Sequence, residues 1–275
     1  LIAGRRSDVK YHADHLDGRW VVRTNWNASN FTLMSFSDGI WNGREQWTDL
    51  VSHDQVVLIS SFELFSSFIA INERFNGLTR IRLRSNAGVE TIVAADEPAY
   101  LMELDVNRQP NTDWVRYSYT SLTTPATIYE LNSISGERRM LKETPVLGGF
   151  DKRNYVTERQ WAIARDGTRV PVSLVYRKGF VKNGTAALLQ YGYGAYGSSM
   201  EPWFSSNVIS LLDRGMVYAI AHIRGGQEMG RQWYEDGKLL KKKNTFTDFI
   251  DVTSYLVGQG YAAPDRVAAD RKSVV

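Results

Sequence analysis

The feature that most constrains the fold of this chain is a change of rhythm around Gly148-Gly149-Phe150. Before that point apolar residues alternate with polar ones at period two. After it, short unbroken apolar runs alternate with stretches of helical spacing. The 275 residues therefore divide into an all-β part, residues 1–149, and an α/β part, residues 150–275.

The first part repeats. Arg19–Thr24, Ser67–Asn72 and Trp114–Tyr119 each read as a half-buried strand. After a turn each is followed by a second strand, at Phe31–Met34, Leu78–Leu83 and Ala126–Leu131, and then by a polar turn and a further short strand. The unit recurs every ~47 residues, which is within the range of propeller blades. A propeller ring closes with about four to eight blades. Three blades fit here, so the expectation is the C-terminal part of a β-propeller whose other blades precede Leu1. A meander or sandwich of antiparallel hairpins is the competing arrangement.

In the second part, Arg159–Ala164 and Val170–Tyr176 form the arms of a predicted hairpin joined by Arg165-Asp166-Gly167-Thr168, where Asp-Gly is a turn signal. Ala186–Tyr191 and Met216–Ala221 read as strands buried on both faces. Between them Ser205–Arg214 has helical spacing, with Gly215 as its stop. A second helix is expected over Thr245–Val257, opened by Thr245-Phe246-Thr247-Asp248 in the manner of a capping box and closed by Gly258 and Gly260. Another strand begins at Arg266. Strands alternating with helices imply a mainly parallel sheet covered on both faces.

Composition narrows the function. At 43% hydrophobic and 23% charged the chain is ordinary globular material. It has no Cys, which excludes disulfides and thiolate metal sites, and no metal or organic cofactor is implied. No run reaches the roughly 18 apolar residues of a membrane span, and Leu1-Ile2-Ala3-Gly4-Arg5-Arg6 is not a signal peptide. These features point to a cytoplasmic protein that binds no membrane, and the missing initiator Met places the true N-terminus upstream. The net charge of +3 is mild and spread along the chain, so nucleic acid is not an expected partner.

The sharpest local motif is Tyr191-Gly192-Tyr193-Gly194-Ala195-Tyr196-Gly197, directly after a buried strand. It satisfies G-x-G-x-x-G, the dinucleotide fingerprint, which is weak when it stands alone. A nucleotide-binding enzyme would want an acid at the end of the next strand. The chain reads Ala221-His222-Ile223-Arg224 there, and Pro202 interrupts the place of the phosphate-binding helix. The other reading is a tight turn with Tyr193 and Tyr196 packed. His222-Ile223-Arg224-Gly225-Gly226-Gln227-Glu228 lies at a strand end, where open α/β sheets place their sites. A lone His222 is more often structural, and Arg224 is a candidate ion-pair partner for Glu228. His12, His15 and His53 read as surface residues, and Lys241-Lys242-Lys243 as a solvated patch.

Taken in order, these motifs resemble one family. Leu189–Gly197, Leu211-Leu212-Asp213-Arg214-Gly215, His222–Gly226, Gln232–Lys238 and Lys241–Phe246 look like the prolyl oligopeptidase family of serine peptidases, and within it the oligopeptidase B branch. Upstream, Ala164–Gly167, Val170–Tyr176, Ser121–Pro125 and Gly136–Arg139 extend the likeness. The resemblance implies a seven-bladed propeller on an α/β-hydrolase domain with a Ser-Asp-His triad, cutting short peptides after Lys or Arg. It implies that the Tyr193 hydroxyl helps stabilise the oxyanion and that Tyr196 lines the pocket for the residue before the scissile bond. Short peptides are then the expected partners.

The likeness fails at the nucleophile. A G-x-S-x-G elbow should follow the strand at Val267, yet the chain reads Ala269-Asp270-Arg271-Lys272-Ser273-Val274-Val275. Ser273 is a match by position only, because Arg271-Lys272 and Val274-Val275 stand where glycines and small residues are wanted. Residues 270–275 read as a frameshifted or foreign tail, and no triad Asp or His follows them. The expectation is a fragment, inactive as it stands. A non-catalytic binding module using the propeller surface is the alternative from another class.

Overall fold

The computed structural model describes residues 2, 4–39 and 44–271. Among these residues the first part is three four-stranded sheets, each with its strands in chain order. The first holds β1 (Tyr11–Leu16), β2 (Arg19–Thr24), β3 (Thr32–Ser37) and β4 (Thr48–Val51). The second holds β5 (Val57–Leu64), β6 (Phe68–Phe75), β7 (Leu78–Ser85) and β8 (Glu90–Ile92). The third holds β9 (Tyr100–Leu104), β10 (Trp114–Ser121), β11 (Thr127–Asn132) and β12 (Arg138–Glu143).

The strands expected from the repeat are the last three of each sheet. The leading strands β1, β5 and β9 were not expected, the first two for identifiable reasons. β1 is largely exposed and carries two His, and β5 has a bulge between Ile59 and Ser61 that breaks its alternation. Two hairpins are set by turn chemistry. Asp17-Gly18 joins β1 to β2 and Asn76-Gly77 joins β6 to β7, all four residues at φ between 51° and 77°, the conformation whose twist matches paired strands. Glu73 on β6 is fully buried and tolerable only because Arg80 and Arg82 of β7 reach it at 2.5 and 2.6 Å.

The second part has one five-stranded sheet, made of β13 (Tyr155–Ile163), β14 (Arg169–Arg177), β15 (Leu188–Gly192), β16 (Val217–Ala221) and β17 (Val267–Arg271). Its order is β13-β14-β16-β15-β17. The pairs β16/β15 and β15/β17 are parallel, whereas β13/β14 and β14/β16 are antiparallel. The sheet is therefore mixed, because the β13–β14 hairpin joins the parallel strands through β14. Three helices accompany it among the described residues: α1 (Ser206–Leu212), α2 (Arg231–Glu235) and α3 (Lys243–Gly258).

Alternation along the strands sorts the two faces. Val172, Leu174, Ala219 and Ala221 pack with Val252 and Leu256 of α3 in one apolar cluster. Val175 and Ile220 pack with Leu212 of α1 in another. Gln190, buried inside β15, is satisfied by α3: its Nε2 donates to the Phe249 carbonyl at 2.9 Å and its Oε1 accepts from Thr253 at 2.8 Å. The expected capping box does not cap. α3 starts at Lys243 with no side-chain cap, and Thr245 and Asp248 lie inside its first turns, fully buried. The buried positions 245, 248, 252 and 256 form one continuous helix face.

The compact units of the chain interleave in sequence: Ala95–Leu101 and Tyr119–Thr127 belong with the α/β part. Within that unit Glu97 accepts hydrogen bonds from Tyr119, Thr123 and Thr124. Core and surface should respond differently to the same truncation. Leu174→Ala, at a fully buried site, should cost about 2–5 kcal/mol, whereas Leu240→Ala, at a fully exposed one, should stay within about 0.5 kcal/mol. Chemical denaturation of the two variants measures both.

Candidate functional site

β15 and β17 run parallel with Gly192 beside Arg271. The two strands thus end on the same edge of the sheet, and the loop after β15 starts at the strand ends where α/β sheets place their chemistry. Tyr193, half-buried, is the first residue beyond β15. Tyr196 sits at φ 56° and is 71% exposed. Ser273 lies outside the described residues.

The glycines of this loop serve close packing. A Cβ on Gly194 would fall 2.5 Å from the Thr245 methyl, and one on Gly225 would fall 2.1 Å from the Gly194 carbonyl oxygen. A Cβ on Gly237 would lie 2.2 Å from the Gly225 nitrogen. Three backbone segments, at 194, 225 and 237, touch where no side chain fits. The space beside the G-x-G-x-x-G glycines is filled by Phe249 and Thr245 of α3, by the Ile223 and Gln227 side chains and by the Ala221 and Arg224 carbonyls.

Hydrogen bonds pin the loop at two points. The Gly197 N–H donates to the Gly225 carbonyl at 2.9 Å. The Lys242 ammonium donates to the Gly194 carbonyl at 2.5 Å. Thr245 Oγ1 donates to the Arg224 carbonyl at 2.7 Å and stands 3.3 Å from the carbonyls of Gly194 and Gly237. The lysine run is accordingly not a uniform solvated patch. Lys243 is exposed and Lys241 pairs with Asp236 at 2.6 Å, but Lys242 is half-buried, and burial followed by the charge of Arg271 lowers its pKa.

Arg224 holds the next layer. It makes its ion pairs with Asp248 of α3 at 2.5 Å and with Asp166 of the β13–β14 turn at 2.6 Å. Two of its nitrogens meet the two oxygens of Asp248, while its backbone N–H also donates to Asp248 at 3.0 Å. The hydrogen bonds Arg224 donates to Asp248 raise its pKa against burial. Burial works upward on the Asp166 carboxyl, yet Arg224 and the Thr168 N–H overcome it and hold the carboxyl at about 2. His222 is fully buried, with Nε2 2.8 Å from Ser173 Oγ and its carbonyl accepting from the Trp233 indole. His15 lies 3.1 Å from Asp38 and His53 3.4 Å from Ser29, both exposed contacts, and His12 meets the Phe62 ring edge-on.

Sequence reasoning missed Lys242, Thr245, Asp248 and Asp166 as holders of this site. One signal was available: the apolar spacing of Val252 and Leu256, extended one and two turns back, reaches Asp248 and Thr245.

Comparison with known proteins fits this arrangement. Residues 1–144 match the family described as prolyl oligopeptidase, N-terminal beta-propeller domain, and residues 202–270 match the prolyl oligopeptidase family itself. The chain belongs to the prolyl oligopeptidase family. Dipeptidyl aminopeptidase BI of Pseudoxanthomonas mexicana is 56% identical over 271 residues, which is 98% of this chain and 37% of that protein. Protease 2 of Moraxella lacunata is 36% identical over 269 residues, 98% of this chain and 38% of that protein. The solved oligopeptidase B from Leishmania major superposes with a TM-score of 0.88 at 34% identity, covering 98% of this chain and 39% of that one. The chain thus spans under two-fifths of the length of these family members.

The buried ion pair generates two measurable consequences. Asp248→Ala strands Arg224 with a single partner and should cost about 3 kcal/mol or more in denaturant unfolding, the usual penalty for an uncompensated buried charge. Because the folded Asp166 carboxyl lies below its ordinary 3.8, its contribution to stability is present above that value and is lost as pH falls towards about 2. Asp166→Asn should therefore flatten the acid limb of the stability profile.

Proposed function

We propose that this chain contributes the oxyanion loop and part of the propeller to a serine peptidase that hydrolyses short peptides after Lys or Arg in the cytoplasm. The proposal assigns the three four-stranded sheets to three blades and the five-stranded sheet to an α/β-hydrolase domain, with the boundary near residue 150. Tyr193 supplies the side-chain oxyanion donor, and Tyr196 flanks the pocket for the residue before the scissile bond. The observation that carries this reading is the position of Tyr193 in a family member: directly after β15, on a loop packed at van der Waals limits, beside the end of β17. A phenol is neutral at pH 7 and remains a donor. Held rigidly, such a donor stabilises the developing charge by roughly 3–4 kcal/mol. The second donor would be the backbone N–H after the nucleophile. In the proposed numbering the nucleophile falls at Ser273, with the neighbouring residues unfavourable for an elbow.

A second reading follows from the 56%-identical relative, which is named a dipeptidyl aminopeptidase: release of N-terminal dipeptides. Peptides with free and with acetylated N-termini separate the two. Internal cleavage after Arg or Lys in the acetylated peptide supports the first reading, and dipeptide release confined to free N-termini supports the second.

Two outcomes are expected. The 275-residue polypeptide should not turn over Arg or Lys substrates, since no residue in it answers to the triad Asp and His; turnover abolished by Ser273→Ala would overturn this. In a chain of the relatives' full length with an intact elbow, Tyr193→Phe should lower kcat about 100-fold with little change in KM, because the hydroxyl acts on charge that appears in the transition state. A change confined to KM would make Tyr193 a substrate-binding residue instead.

A further inference from the structure

The lysine that reaches into the Tyr193 loop is not accounted for by the oxyanion role itself. Lys242 is the residue before α3, and its ammonium is spent on one backbone carbonyl, that of Gly194, at 2.5 Å. Gly194 immediately follows Tyr193 and has φ 64°, and its carbonyl lies in the peptide that joins it to Ala195, so fixing that peptide fixes the turn on the C-terminal side of the tyrosine. The Gly194 oxygen sits at the most crowded point of the site, where a Cβ on Gly225 would fall 2.1 Å away. A charged donor makes a stronger bond than a neutral one, and a carbonyl in so confined a place has few other donors to choose from. Thr245, one turn into α3, brings its hydroxyl to 3.3 Å from the same oxygen while bonding the Arg224 carbonyl at 2.7 Å.

Building on the oxyanion role proposed for Tyr193, we infer that Lys242 is the positioning residue for that tyrosine: by holding the Gly194 carbonyl, it fixes the Gly194–Ala195 peptide and with it the turn that anchors the C-terminal side of the tyrosine. Lys242 does not touch substrate or the oxyanion in this scheme. The helix supplies the rigidity. Asp248 locks the first turns of α3 to Arg224, and Gln190 locks its middle to β15, so the lysine backbone is tied to the strand from which the loop departs. A donor held this way needs no reorganisation as charge develops, and small displacements of such a donor are costly in rate.

The test is a double-mutant cycle in a full-length active chain, with Tyr193→Phe, Lys242→Met and both together. Lys242→Met keeps the length of the side chain and removes the donor. It should lower kcat about tenfold or more, the usual effect of losing one charge-assisted hydrogen bond, with KM nearly unchanged. Lys242→Arg should restore most of the rate. The decisive measurement is additivity: when Lys242 acts through the Tyr193 hydroxyl, the double variant loses no more than Tyr193→Phe alone. Losses that multiply, or a Lys242→Met variant with kcat within twofold of the parent, overturn the inference while leaving the role of Tyr193 intact. A Tyr193→Phe variant with unchanged kcat removes the oxyanion role and this inference with it. Lys242→Gln, whose shorter side chain withdraws the donor from the carbonyl, replaces Lys242→Met in the same cycle when that variant does not fold.

Discussion

The α/β part of this protein is organised around a guanidinium with nowhere else to go. Arg224 is almost wholly buried, and a buried cation is tolerated only when its charge and its donors are met. Asp248 meets it from α3 and Asp166 from the β13–β14 turn. Three segments that are remote in sequence must therefore arrive together, and their arrival fixes the first turns of α3 against the loop after β16. The exposed pair between Arg165 and Asp251, at 2.7 Å, repeats the link between hairpin and helix at the surface, where such a pair contributes little by itself.

Once α3 is seated, the Tyr193 loop has little freedom left. Gly194 brings the loop backbone into contact with the segment at 225, which in turn meets the one at 237, and Lys242 and Thr245 supply donors to carbonyls of these segments. The same helix face is apolar at Val252 and Leu256 and polar at Thr245 and Asp248. One end builds the core and the other builds the floor of the site. A loop rich in glycine can thus be rigid: the places of the missing side chains are taken by Phe249 at Gly192, by Thr245, Ile223 and the Arg224 carbonyl at Gly194, and by Gln227 at Gly197. Preorganisation of this kind is what a hydrogen-bond donor to a developing oxyanion requires.

The all-β part follows another principle. Its strands are local in sequence, their turns are chosen by Asp-Gly and Asn-Gly pairs, and its buried charge, Glu73, finds its partners on the adjacent strand of the same hairpin. Short-range pairing of this sort tolerates repetition, because each sheet can form from contiguous residues. The α/β sheet cannot, since β15 lies between β16 and β17 and must recruit strands that follow it in the chain.

The sequence by itself determined whatever depends on local pattern. Alternation gave nine of the strands in the three four-stranded sheets, Asp166-Gly167 gave the β13–β14 turn, apolar runs gave β15 and β16, and Gly215 and Gly258 marked where α1 and α3 end. It also determined the family, because ordered motifs from Ser121 to Phe246 survive without knowledge of their contacts. The tertiary structure decided which side chains work together. Thr245 and Asp248 look like a cap when only their neighbours in sequence are considered, yet they face inward, where Asp248 meets the buried Arg224 guanidinium and Thr245 the Arg224 carbonyl. Lys242 looks solvated beside two other lysines, yet it alone is within reach of that carbonyl. Propensity and spacing describe a residue's relation to its own segment; the choice of a hydrogen-bond partner across 48 residues of chain belongs to packing, and packing is settled only when the segments meet.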